Sequence, residues 1–240
     1  MLVQLDPTIR DISFYATLFV ILAKFIIATY IGRRAAIQAK DQSKRRFTFM
    51  GAAFLLILCL GISRLVYFYY DFYLTNFVPD MLWRQPQVFY WQVATAISGY
   101  SSASILFVLE RDIYRYKTRL IPTIMVLATA TIQLLFPILS KDDFNLVSTI
   151  GLVGTCALLL AILTFIYLAI KSTGLLRKVC VALTIGVLIY AVAGMAMSEN
   201  LLAAFDAAIP GIRTYIIVAV PILKIISFVI IAWGAVHFQL

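Results

Sequence analysis

The stretch Tyr215–Phe238, "YIIVAVPILKIISFVIIAWGAVHF", decides the fold class, because it is long enough and apolar enough to cross a lipid bilayer. A transmembrane helix needs about 20 predominantly apolar residues. Lys224, near the middle, is the only lysine, arginine, aspartate or glutamate in this stretch. An ionisable side chain at that depth is costly, so Lys224 is a functional-site candidate by default.

Six other stretches have the same character, and they predict the rest of the fold. They cover approximately residues 12–32, 47–73, 88–110, 120–139, 146–170 and 178–198. The chain is 63% hydrophobic and 13% charged, whereas a soluble domain carries roughly 25% charged residues. The runs are too long, and lack the alternation, for barrel strands. The sequence therefore predicts an all-α integral membrane bundle of seven transmembrane helices, forming one domain over residues 1–240.

The charges between the apolar runs predict an orientation. The connections after the first, third and fifth runs carry six, four and three Lys or Arg residues. The other side carries four, namely Arg10, Arg84, Lys141 and Arg213. Cytoplasmic loops are enriched in Lys and Arg. We therefore expect the N-terminus outside, the C-terminus inside and a multi-pass protein of the cell membrane.

The composition also limits the function classes. The three cysteines lie within apolar runs without a CxxC pair, and the chain has one histidine. We therefore predict no metal site, no cofactor and three buried structural cysteines. No nucleophile–base pair or phosphate loop is evident, so we predict no catalytic residues and no enzyme. The expected partners are the lipid bilayer and a second protein or another copy of the chain, because we expect no soluble domain. The lysines and arginines responsible for the net charge of +9 cluster between the apolar runs, so nucleic acid is not an expected partner.

Polar residues inside the apolar runs are the binding-site candidates. Arg64, Tyr67 and Asp71 share one face of the second helix, at spacings of three and four residues. Such a stripe could bind an anionic or polar group, or clamp a neighbouring helix. The third helix is the most polar and is expected to be central, with Gln92 and Ser98 as polar-network candidates.

Three further ionisable residues have expected positions. Lys224 follows Pro221, which should free the carbonyl of Ile217, and we expect its ammonium to face the hydroxyl-rich third helix. We expect Lys24 to extend toward the cytoplasmic face. Glu110 is expected to form ion pairs with the basic loops.

Arg64, Tyr67 and Asp71, followed by Glu110 and "YKT" at Tyr116–Thr118, resemble a group of uncharacterised archaeal seven-helix membrane proteins. The resemblance covers roughly residues 60–120. It implies a membrane location and a seven-helix architecture, and it implies no activity.

Three functions remain open from the sequence. The first is a non-enzymatic receptor-like or sensor-like protein, or a structural subunit of a larger membrane complex. The second is a carrier of a small molecule or ion that uses Arg64 and Lys224. The third is a retinal protein, since seven helices with a lysine in the seventh resemble microbial rhodopsins. A retinal Schiff base needs a nearby carboxylate, and the only carboxylate of the third run is Glu110, at its end.

The orientation predicts opposite labelling of two connections. In a chain without its native cysteines, single cysteines at Ser43 and Ala203 should react with a membrane-impermeant maleimide from opposite sides of a vesicle. Labelling of both sites from the same side would contradict the predicted orientation.

Overall fold

The computed structural model describes residues 7–41, 47–196, 205, 208–209 and 211–238. Within these residues the chain forms seven α-helices. They are α1 (Pro7–Asp41), α2 (Phe49–Tyr69), α3 (Gln87–Asp112), α4 (Ile121–Leu135), α5 (Lys141–Lys171), α6 (Gly174–Met195) and α7 (Ile212–His237). A π-helical turn, Tyr70–Leu74, continues α2, and a 3-10 turn, Pro79–Met81, precedes α3.

The predicted all-α bundle is confirmed. Six of the described helices, all but α4, are long and apolar enough to cross a membrane. The molecule is thus a multi-pass membrane protein of helical type. The first helix is longer than its apolar run, because it continues through Arg33, Arg34 and Lys40 to Asp41. The sequence predicted that these basic residues lie in a loop. In the structure they extend the helix.

Successive helices pack side by side, and the ring closes where α7 packs on α1. Inside the ring, α7 also contacts α2, and α3 contacts α5. Half of the apolar window of α3 is buried, a larger share than in the other described spans, which confirms its predicted central place. Of the three cysteines, Cys180 is buried, whereas Cys59 is half-buried and Cys156 is exposed. The prediction of three buried cysteines is therefore wrong for two of them.

The fourth apolar run is a broken span, which the sequence did not predict. The run was expected to be helical over 120–139, but α4 ends at Leu135 and Phe136 is already extended. The physical cause is Pro137, which disfavours the helical conformation of the residue before it. A helix of this length rises only about 22 Å at 1.5 Å per residue.

Two glutamines supply the donors that this broken end requires. Gln92 Nε2, on α3, donates to the carbonyls of Gln133 at 3.0 Å and Phe136 at 2.7 Å. Gln85 Nε2 lies 3.5 Å from the carbonyl of Ile138. Non-helical backbone inside a membrane protein is tolerated where the protein supplies its hydrogen bonds. Gln92 therefore has a structural role.

The other end of α4 is capped by Glu110, which corrects the prediction that this residue pairs with basic loops. The Glu110 side chain is fully buried. Its carboxylate accepts hydrogen bonds from the hydroxyls of Thr118 and Thr123 and, at 3.0 Å, from the backbone N–H of Thr123. A carboxylate at a helix N-terminus satisfies free N–H groups and suits the helix dipole.

Replacing Gln92 by Leu should destabilise the protein by about 1–3 kcal/mol, because one buried and one partly buried carbonyl lose their donor. Thermal unfolding in detergent measures the effect. The matched control is Gln85→Leu, whose exposed side chain makes only a long hydrogen bond and should matter less. Equal effects of the two substitutions would contradict the assigned role of Gln92.

Candidate functional site

Lys224 faces a small internal cavity between α1, α2 and α7. The cavity has a volume of about 20 Å³, which is room for about one water molecule. Its lining comprises Ser13, Ala16, Thr17 and Val20 of α1, Arg64 of α2, and Ile217, Val220, Pro221 and Lys224 of α7. The expectation that Lys224 faces α3 is therefore wrong. The reason is topological, because α7 packs against α6, α1 and α2.

Arg64 shares this cavity and forms an ion pair on its own helix. Its Nη1 atom lies 3.7 Å from Oδ2 of Asp71, and the two side chains are 30% and 19% exposed. Asp71 lies in the π-helical turn that continues α2. Single π-turns within α-helices are frequent at functional sites. The sequence places Arg64 and Asp71 on one face of the second helix, and in the structure the two side chains are in contact.

A third cation, Lys24 of α1, belongs to the same cluster. Its side chain is buried, its Nζ donates to the carbonyl of Leu60 at 3.1 Å, and it lies 5.2 Å from the ring centre of Phe228. The expectation that Lys24 extends to the cytoplasmic face is thus wrong. Its ammonium instead gains a carbonyl and the face of an aromatic ring, which attracts cations.

The cluster carries more positive than negative charge. Lys24, Arg64 and Lys224 lie close enough together for mutual electrostatic repulsion. Asp71 is the carboxylate that the described residues bring to them. Three formal positive charges thus face one negative charge inside the apolar part of the protein. Buried charges are costly unless they are paired, so this arrangement favours a bound anion.

Apolar clusters enclose the charged cluster along α1. On one side, Ile21, Phe68 and Phe72 pack with Phe14 and Leu18. On the other side lies a second apolar cluster that includes Ala28, Ile31, Ile57, Phe228 and Ala232. The described residues therefore hold the cations between two apolar layers of the bundle.

The remaining candidates from the sequence lie toward α3. Tyr67 hydrogen-bonds to the hydroxyl of Thr95 on α3 at 2.5 Å. Ser98 donates to the carbonyl of Thr95 at 2.8 Å, and Gln92 binds the broken end of α4. The six candidates thus divide into a charged cluster with Lys224, Arg64 and Asp71, and an uncharged group with Tyr67, Gln92 and Ser98.

Sequence reasoning missed several residues of the charged cluster. Ser13 and Thr17 line the cavity, and Tyr190 of α6 packs on Phe228 at a ring distance of 5.0 Å. Hydroxyl and aromatic residues are common in transmembrane helices, so these three give no distinct signal. Lys24 gave the same signal as Lys224, namely a cation in the middle of an apolar run.

Within the described residues, no group of three histidine, cysteine or acidic side chains could hold a metal ion. Comparisons with protein-family models, with curated proteins and with solved structures found no match. The resemblance to archaeal seven-helix membrane proteins therefore stays a prediction.

The charge surplus predicts coupling between Asp71 and Lys224. Asp71→Asn should destabilise the protein, because it removes the negative charge from the cluster. Lys224→Met should be neutral or stabilising alone and should relieve part of the loss in the double variant. The coupling free energy should be about 0.5–3 kcal/mol, the usual range for interacting residues.

Thermal unfolding of the single and double variants measures this coupling. Asp142→Asn, at the exposed start of α5, is the control and should show no coupling to Lys224. Strict additivity of Asp71→Asn and Lys224→Met would contradict the electrostatic account of the cluster.

Proposed function

We propose that this chain is a non-enzymatic membrane protein that binds a small anion at the cluster of Lys24, Arg64 and Lys224. The observation that carries the proposal is the surplus of formal positive charge around this small cavity, which Arg64 and Lys224 line. A fixed array of cationic side chains selects anions. The volume of about 20 Å³ favours an ion the size of a halide over a larger organic anion.

The proposed role is that of a receptor-like or sensor-like protein, or of a structural subunit in a larger complex. Apolar clusters on both sides of the cations support this role, because a bound anion would be held in place. The proposed setting is the cell membrane, with the N-terminus outside and a protein partner or second copy of the chain. The charge bias of the connections supports the orientation.

The second candidate function is a carrier of a small molecule or ion. The position of Arg64 and Lys224 within the apolar spans favours a carrier over an enzyme. A carrier must open its site alternately to each side, so one of the two apolar clusters would have to separate. Chloride flux in proteoliposomes distinguishes it from a receptor, because a receptor binds the anion without flux.

The retinal alternative has less support. The cavity at Lys224 has room for about one water molecule, and the carboxylate of the charged cluster, Asp71, is already paired with Arg64. Visible absorbance of the purified protein after addition of retinal tests this alternative directly.

The anion proposal predicts stabilisation by chloride. At constant ionic strength, replacing gluconate by chloride should raise the Tm of the wild type in a saturable manner, because a ligand that binds only the folded state stabilises it. Lys224→Met should fold with equal or higher stability and lose most of this response. Lys171→Met, at the exposed end of α5, is the control and should keep it.

Two results would contradict the proposal. One is an unchanged Tm when chloride replaces gluconate, since gluconate is too large for the cavity and only chloride should bind. The other is an undiminished chloride response in Lys224→Met. A loss of folding in Lys224→Met would instead assign the lysine a structural role.

A further inference from the structure

A second cavity lies between α3, α4 and α5, apart from the charged cluster. Its volume is about 270 Å³, more than ten times the volume of about 20 Å³ at Lys224. Tyr67 and Trp91 line it together with residues of all three helices. A cavity of this size holds the polar part of a small molecule, whereas the cavity at Lys224 holds one small ion.

The lining of this cavity combines apolar and polar side chains and carries no charge. Among the described residues, its wall is made of hydroxyl, amide, aromatic and apolar side chains, without lysine, arginine, histidine, aspartate or glutamate. A charged ligand would therefore enter without a counter-charge, which is unfavourable in an apolar surrounding. The lining selects an uncharged ligand.

The hydrogen bonds of the lining residues further define the ligand. Ser98, Ser102, Thr129 and Thr155 each donate their hydroxyl proton to a carbonyl of their own helix. A serine or threonine hydroxyl that donates in this way retains lone pairs as acceptors. The wall thus offers mainly acceptors, so the matching ligand brings O–H or N–H donors.

Close helix contacts bring two of the polar groups to the wall. A Cβ atom added at Gly151 would lie 2.2 Å from Nε2 of Gln133, and one at Gly154 would lie 2.4 Å from Oγ1 of Thr129. Only glycine at these positions of α5 lets Gln133 and Thr129 of α4 approach so closely. The amide of Gln133 donates to the carbonyl of Val147 at 3.3 Å, which leaves its oxygen as a further acceptor.

The cavity is open on the outer surface of the bundle. Leu152 is 62% exposed, and the side chain of Thr155 is also exposed. Both lie within the long apolar span of α5, whose outer surface faces the acyl chains in a membrane. A ligand that enters here comes from the bilayer and keeps its apolar part among the lipids.

We propose that the cavity between α3, α4 and α5 binds the hydroxyl-bearing headgroup of a neutral lipid, of the monoacylglycerol type. The acceptors on the wall receive the headgroup hydroxyls, and the acyl chain leaves over Leu152. This site is independent of the proposed anion site, since it shares no residue with the cavity at Lys224.

The test is native mass spectrometry of the detergent-solubilised protein titrated with 1-monooleoylglycerol. Methyl oleate is the matched ligand, because it has the same acyl chain without a hydroxyl. Thr155→Leu places a branched apolar side chain in the cavity. Thr149→Leu is the control variant, because Thr149 is an exposed threonine of α5 with the same type of hydrogen bond, to the carbonyl of Asn145, and it does not line the cavity.

The wild type and Thr149→Leu should each retain one 1-monooleoylglycerol, and Thr155→Leu should bind at least about tenfold more weakly, as expected for lost hydrogen bonds. Methyl oleate should not be retained. Equal retention of the two ligands, or undiminished binding by Thr155→Leu, would overturn the proposal, as would a cavity that holds water alone. If Thr155→Leu does not fold, Ser148→Leu, which also changes a lining residue of α5, is measured in its place.

Discussion

The ion pair between Arg64 and Asp71 is the interaction on which the interior of this bundle depends. A guanidinium inside a membrane protein needs a partner within the protein, because lipid offers none. Asp71 supplies that partner seven residues further along the chain, from the π-helical turn that continues α2. Lys24 and Lys224 lie near the same guanidinium, so three formal positive charges accompany this one carboxylate. This charge imbalance lies where α1, α2 and α7 pack together.

Uncharged polar groups inside the bundle also need hydrogen-bond partners within the protein. Ser63 donates to the carbonyl of Ala94 at 2.7 Å, and Ser227 donates to that of Gly186 at 2.9 Å. Each bond joins two helices in the way that small polar residues do in membrane proteins. At the two ends of α4, Gln92 and Glu110 supply hydrogen-bond partners to backbone groups that the short helix leaves unpaired. The helix contacts are therefore fixed by hydrogen bonds as well as by apolar packing.

The sequence predicted what depends on local composition. Apolar length predicted the seven helices, and the spacing of Arg64 and Asp71 predicted a shared helix face, on which the structure shows them in contact. Contacts that depend on how the helices are arranged in space could not be predicted from local composition. The ammonium of Lys224 was expected to face α3 because α3 is rich in hydroxyls. In the structure, α7 packs against α1 where the ring of helices closes. Lys24 was expected to reach water because its side chain is long, yet the carbonyl of Leu60 lies nearer. Glu110 binds Thr118 of the following connection and Thr123 of α4, and no charge pattern in the sequence indicates these contacts.

Direct observation of an anion between Arg64 and Lys224 tests the central claim. Crystals of the protein grown with bromide in place of chloride should show an anomalous peak in the cavity bounded by Thr17, Arg64 and Lys224. The account predicts this peak at bromide concentrations at which the surface lysines show none. A cavity that contains only water, or an ammonium of Lys224 that points toward lipid, would contradict it.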